Sequence, residues 1–213
     1  MSVHQLTLDQ IRLALKRPLP GLAAQLKFAP EYRIESLRSD PPANARPAGV
    51  LILLYPHQGQ WHFPLMKRVE DGLVHSGQIS LPGGSQEAGE SLRETALREA
   101  CEEVGAACAD VEVLGELSPI YIPPSNFLVQ PVIGAVDVRP NFHCDSREVA
   151  ELIEVPLSQL FDSKVIQREK WELRGMNVEV PFYQIGLHKV WGATAMILSE
   201  FSMVLGGMID HMR

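Results

Sequence analysis

Between Gly83 and Ala106 the chain reads GGSQEAGESLRETALREACEEVGA, and its chemistry is carried by Glu90, Glu99, Glu102 and Glu103 with Arg98 among them. Read as a helix, the stretch starts at Ser91, whose hydroxyl caps the first turn while Glu94 reaches back from three residues on. It stops at Gly105, a residue type that terminates helices in the left-handed conformation. Ala96, Leu97, Ala100, Cys101 and Val104 fall on one side, and Glu99, Glu102 and Glu103 cluster within roughly 100° on the other. One face packs and the other carries charge. Carboxylates one turn apart repel, by a few tenths of a kcal/mol per pair in water and by more in a cleft, and a divalent cation removes that cost. Hard cations such as Mg²⁺ are usually held by a few carboxylates plus the phosphate oxygens of a substrate. A lone Glu-Glu pair would be read first as a solvated acidic face. Here the spacing of the surrounding residues is fixed as well.

The flanking elements must hold this helix in place. Ala48–Tyr55, AGVLILLY, is a continuous apolar run of strand length and predicts a buried central strand. His57-Gln58-Gly59-Gln60 reads as a turn, and Trp61–Arg68 as the strand that returns toward the carboxylates, bringing Lys67 and Arg68 with it. Gly83-Gly84 permit a close backbone approach to a cation but fail as a phosphate loop of the Walker type, since no Lys-Ser/Thr follows them. Downstream, Val111–Leu117, Tyr121-Ile122 and Phe127–Val138 read as strands broken by Pro123-Pro124, and Pro140–Arg147 as a polar loop. Alternating helices and strands around one core indicate a mixed α/β fold. Ahead of the central strand, Thr7 and Gln10 cap a helix over Leu6–Lys16, and a weak second helix and a Pro-punctuated connector follow it. Residues 1–47 are therefore expected to be an N-terminal helical appendage and connector, and 48–213 the main domain.

At 213 residues, 46% hydrophobic and 21% charged, the chain suits one sizeable soluble domain. A net charge of −7 and the lack of a Lys/Arg run argue against a nucleic-acid partner. Three cysteines with no CxxC spacing fit reduced thiols in a cytosol. No signal peptide is evident. The apolar stretch Trp191–Ile209 carries Glu200 in its middle and is expected to pack as an amphipathic helix instead of spanning a membrane, with Trp191 and Phe201 in the core.

Gly84, five residues, Glu90, seven residues, Arg98-Glu99, two residues, Glu102-Glu103, one residue, Gly105 resembles the box of the Nudix hydrolase superfamily. The departures are Ala100 and Ala106, where that box usually has a larger aliphatic residue. The flanks resemble the coenzyme A pyrophosphatase subgroup: LMKR at Leu65–Arg68, HSGQISLPGG at His75–Gly84, IPPSNFLVQPVIG ending at Gly134, EVAELIEVPLSQL at Glu148–Leu160 and VWGATAMIL at Val190–Leu198. Two residues depart from that subgroup: Leu73 stands where it has an Arg, and Leu81 where it has a Phe.

The resemblance implies an α/β/α sandwich with a mixed β-sheet, in the cytoplasm, with no membrane, often as a homodimer. It implies Mg²⁺ or Mn²⁺ held by Glu99, Glu102, Glu103 and the Gly84 carbonyl, and hydrolysis of the diphosphate of a small nucleotide substrate. Glu90 is expected to support the site by pairing with Arg98. The general base is Glu99 or, from a late loop, Glu148. Lys67, Arg68, His75, Ser125 and Asn126 are candidates for contact with substrate, although Ser125 and Asn126 also read as turn residues. Coenzyme A or an acyl-CoA is the leading substrate, ADP-ribose or a nucleoside diphosphate sugar the alternative, and a silent nucleotide-sensing domain the rival from a different class.

Overall fold

The computed structural model describes residues 6–70, 72, 76–106, 108–173 and 175–211, with the backbone alone for 108 and 209–211. The chain opens with α1 (Leu8–Leu15), whose capping box joins Thr7 to Gln10. The short helices α2 (Leu22–Gln25) and α3 (Ile34–Arg38) follow, with 3₁₀ turns between them. Strand β1 (Arg46–His57) then enters the middle of the molecule. It turns at Gln58-Gly59, both with positive φ (49° and 75°), into the antiparallel β2 (Gln60–Arg68).

Short strands β3 (Ile79–Ser80) and β4 (Gly83–Ser85) pair with β2 and β1, and lead into α4 (Leu92–Val104). Beyond it, β5 (Glu112–Glu116), β6 (Ile120–Ile122) and β7 (Phe127–Ala135) extend the sheet; β7 runs parallel to β1, from Phe127 opposite Arg46 to Ala135 opposite Leu54. Strand β8 (Val149–Pro156) returns to β2 and completes an eight-stranded mixed sheet. A second sheet of three strands is built from β9 (Ile166–Leu173), β10 (Met176–Ile185) and β11 (His188–Trp191), and α5 (Gly192–His211) follows directly.

The apolar run in β1 is explained by what covers it. Leu51, Leu53 and Tyr55 pack with Ala96, Ala100 and Val104 of α4 on one face of the sheet. Ile52 and Leu54 belong on the other face to a cluster with Leu198, Phe201 and Leu205 of α5. A strand buried on both sides loses the polar alternation of a surface strand. Leu51–Leu54 are each 0% exposed, and burial of such a side chain contributes about 1.5–3 kcal/mol relative to exposure. The result is the expected α/β/α layering.

Leu6, Ile11, Leu15 and Phe28 of the N-terminal segment share the α5 cluster. Glu200 is fully buried within α5, where its carboxylate accepts the backbone N–H groups of Gly21 and Ser118 and the amide of Gln25. A buried carboxylate needs such partners, and here they bind the first segment to the last helix. Among the described residues, no helix is long and apolar enough to cross a membrane. One expectation is overturned: Cys101 is disulfide-bonded, and Cys144 is free.

Candidate functional site

The ends of α4 are as its sequence dictates. Ser91 and Glu94 exchange capping bonds, and Gly105 stops the helix at φ 67°. That fixes the rotation of the helix, with Ala96, Ala100 and Val104 inward, so Glu99 and Glu103 emerge one turn apart over β4.

Arg98 organises the polar side. Its Nε and Nη2 donate to the two oxygens of Glu90 at 2.6 and 3.1 Å, and Nη2 also donates to the Ser85 carbonyl at 3.1 Å. Its Nη1 donates to Glu99 and Glu102, both at 3.0 Å. A guanidinium has enough donors in one plane for such a hub, which lysine could not form. The Arg98 fork holds the Glu90 carboxyl at about 2, helped by the backbone N–H of Glu87 and the Thr95 hydroxyl. Glu90 and Arg98 are thus joined, and both lie beside the loop that carries Gly84.

The Glu99 carboxylate lies directly against Gly84. A Cβ built on Gly84 would sit 2.5 Å from the Glu99 carboxyl carbon, a distance at which something must move. Burial raises the Glu99 pKa against the pull of Arg98. Glu103 is only 3% exposed; it accepts the Gly83 N–H at 2.8 Å and faces Arg68 Nη1 at 3.4 Å. Burial is the main cause that pushes Glu103 up to about 8; the Gly83 N–H and Arg68 offset part of it, and Glu99 and Glu148 add to it. Gly84→Ala is expected to displace the Glu99 carboxylate and lower kcat about 100-fold, as ångström-scale misplacement does, with little change in melting temperature. Steady-state kinetics beside a thermal melt checks this, and a kcat within a factor of three of wild type would show that the contact is dispensable.

A cavity of about 860 Å³ opens beside these groups. Glu99, Glu103, Glu148, Arg68, Gly83 and Gly84 line one end, and Tyr32, Arg33, Arg46, Phe127 and Trp191 are also on its wall. Ser80 contributes a buried hydroxyl with no hydrogen-bond partner among the described residues. Glu148 is half-exposed at the end of the loop before β8, 3.8 Å from Arg68. The structure therefore brings Glu99, Glu103, Gly84, Arg68, Glu148 and Ser125 to one cavity. Glu102 stands outside its lining, 60% exposed.

Lys67 and Asn126 are also off the cavity wall. Lys67 precedes Arg68 on β2, and alternation turns it away, toward Glu70 at 3.3 Å. Asn126 takes the left-handed conformation (φ 55°), and its side chain is occupied by Tyr121 and the Asn44 carbonyl, so it shapes the turn. His75 and Leu73 lie outside the described residues. Trp191, expected in the core, is half-buried on the cavity wall, whereas Phe201 is fully buried. Arg46 carried no motif and was missed, and Phe127, although it lies within IPPSNFLVQPVIG, was not singled out.

Five carboxylates, Glu90, Glu99, Glu102, Glu103 and Glu148, face two guanidiniums, Arg68 and Arg98. Among the described residues, no group of three or more acidic, His or Cys side chains is placed to hold a metal ion by itself. The donor set still fits a hard cation: two partly desolvated carboxylates and the Gly84 backbone share one end of an open cavity, and Mg²⁺ takes one or two carboxylates, waters and substrate oxygens.

A model of the NUDIX domain family matches residues 45–174. A protein described as an uncharacterized Nudix hydrolase NudL from Pectobacterium atrosepticum is 35% identical over 185 residues, covering 84% of this chain and 89% of that protein. Its counterpart from Enterobacter sp. is 32% identical over 209 residues, covering 97% and 98%. The crystal structure of RenU, a Nudix hydrolase from M. smegmatis, matches with a TM-score of 0.50 at 17% identity, covering 78% of this chain and 87% of that one, a likeness of fold.

Proposed function

The chain belongs to the NUDIX domain family of pyrophosphohydrolases, and from that premise we propose that it hydrolyses coenzyme A or an acyl-CoA to 3′,5′-ADP and (acyl-)4′-phosphopantetheine. The observation that carries this reading is the cavity, with carboxylates and Arg68 at one end and an aromatic and cationic wall beyond them. Such a site accommodates a diphosphate together with the groups it joins.

Glu99 and Glu103, with Glu102 and the Gly84 carbonyl, would hold Mg²⁺ or Mn²⁺. When bound, such a cation polarises the phosphoryl oxygens, acidifies the attacking water and stabilises the departing phosphate. Arg98 keeps Glu99 and Glu102 oriented and locks Glu90 beneath them. Glu148, half-exposed on the cavity wall, takes the proton of the attacking water, and Arg68 beside it meets a phosphoryl oxygen. Glu99, the alternative base, is already engaged by Arg98.

A second reading, cleavage of ADP-ribose, rests on Leu81, which lines the cavity where the coenzyme A subgroup has a Phe. Mass spectrometry of the products from coenzyme A and ADP-ribose, each with Mg²⁺, Mn²⁺ or chelator, tests both. Metal-dependent 3′,5′-ADP and phosphopantetheine are expected. AMP and ribose 5-phosphate from ADP-ribose alone would replace coenzyme A as the substrate, and no product from either would favour a silent nucleotide-sensing domain.

A further inference from the structure

Arg46, Ala48 and Val50 are alternate residues of β1, and all three line the cavity. Alternation places them on one face of the strand, and their partners give that face a scale. Val50 pairs with Gly83, whose N–H is bound by Glu103; Arg46 pairs with Phe127. Four residues separate the two levels, roughly 13 Å at about 3.3 Å per residue. The wall therefore runs from buried carboxylates at one level to a guanidinium at the other.

The guanidinium of Arg46 is held in a defined plane. It lies 4.4 Å from the centre of the Phe127 ring, and its Nη2 donates to Ser85 Oγ at 3.1 Å. Among the described residues no carboxylate pairs with it, although the chain carries a net charge of −7. Arg68 differs: both Glu103 and Glu148 claim it. Beside Arg46 the 3₁₀ turn Glu31–Arg33 adds Tyr32 and the buried Arg33 to the same cavity, and Arg33 donates to the Tyr121 carbonyl. A planar cation stacked on an aromatic ring, with guanidinium N–H donors beyond the one given to Ser85, matches a phosphate monoester. A diphosphate seated at the carboxylate level does not extend this far along the strand.

We infer that Arg46, with Phe127 as its platform, binds a second phosphate on the nucleoside half of the substrate, and so selects 3′-phosphorylated nucleotides over their dephosphorylated counterparts. The inference rests on the diphosphate hydrolase reading for the position of the scissile group. It makes the junction of the N-terminal segment with β1 a determinant of specificity.

Equilibrium binding of 3′,5′-ADP and of 5′-AMP to the full chain, measured by calorimetry, tests it without turnover. Wild type is expected to prefer 3′,5′-ADP by about tenfold or more, the scale of a charge-assisted contact. Arg46→Ala should bring the two affinities together, and Arg46→Lys, which keeps charge without the stacked fork, should fall between. Equal affinities in wild type, or a preference that survives in Arg46→Ala, would overturn the assignment. The kcat/KM ratio for coenzyme A over 3′-dephospho-coenzyme A should fall by the same factor in Arg46→Ala. A protein that prefers 3′,5′-ADP but cuts neither compound would retain the Arg46 site and lose the hydrolase reading; one that cuts both equally would do the reverse.

Discussion

Glu99→Gln is expected to lower turnover of a diphosphate substrate by about three orders of magnitude at saturating Mg²⁺, while leaving the melting temperature close to that of wild type. The size follows from position. Glu99 combines features that the other carboxylates divide among themselves: it is on the cavity wall, its carboxyl group touches Gly84, and it is oriented by Arg98. Gln keeps the shape and one acceptor for Arg98, but removes the charge that, on the proposed reading, would hold the cation which polarises the reacting phosphate. A loss of 10³ corresponds to about 4 kcal/mol of transition-state stabilisation, a scale reached where electrostatic preorganisation is the main contribution. Glu102→Gln in the same assay separates two roles. A comparable fall makes Glu102 a ligand despite its exposure, and a fall of less than tenfold leaves it as a partner of Arg98. Glu99→Gln activity within tenfold of wild type, with unchanged Mg²⁺ dependence, would remove Glu99 from the metal site.

What the sequence made legible was local. Helix α4 is bounded by Ser91, Glu94 and Gly105, each of which acts within one turn of its own position, so its ends were readable to the residue. The apolar run of β1 announced burial on both faces, because nothing polar interrupts it. The cavity wall is different, since it depends on which strands meet. Arg46 matters through Phe127, 81 residues away in the sequence and opposite it across β1 and β7. Trp191 reads as core on hydrophobicity, but it ends β11 at the cavity. Lys67 and Arg68 are equivalent as letters, and only the pleat of β2, with its register shift at these residues, separates the one that faces Glu103 from the one that turns to Glu70. The three-stranded sheet left little signal for the same reason. QREKWEL in β9 is polar on both faces for most of its length and is defined by pairing with β10.

Glu103 ties the stability of the protein to pH, and the sign of the linkage can be worked out. Its carboxyl is pushed from an ordinary 4.5 up to about 8, mainly by burial. Between those values the unfolded chain has released the proton and the folded protein still holds it, so stability falls as pH rises through the interval. At about 1.4 kcal/mol per unit, this one group can cost up to roughly 5 kcal/mol by pH 8.5 relative to pH 4.5. Burial raises Glu99 in the same direction, whereas Glu90 titrates near 2 and leaves this window undisturbed. His62, whose pKa burial lowers, works with the opposite sign, so the comparison must be made against a variant. Metal-free wild type is expected to melt at a markedly lower temperature at pH 8.5 than at pH 5.5. In Glu103→Gln the dependence should be flatter and the pH 8.5 melting temperature higher, since the amide oxygen can still accept the Gly83 N–H. Added Mg²⁺ at pH 8.5 should raise the melting temperature of wild type more than that of the variant, because binding to the folded state alone stabilises it. The same substitution is expected to depress turnover. Identical pH profiles for the two proteins would show that Glu103 does not hold a proton in the fold. A chain that keeps an ionisable group where a neutral one would be more stable gives up stability there, and on the proposed metal-binding role of Glu103 the carboxylate over Gly83 is where stability is exchanged for function.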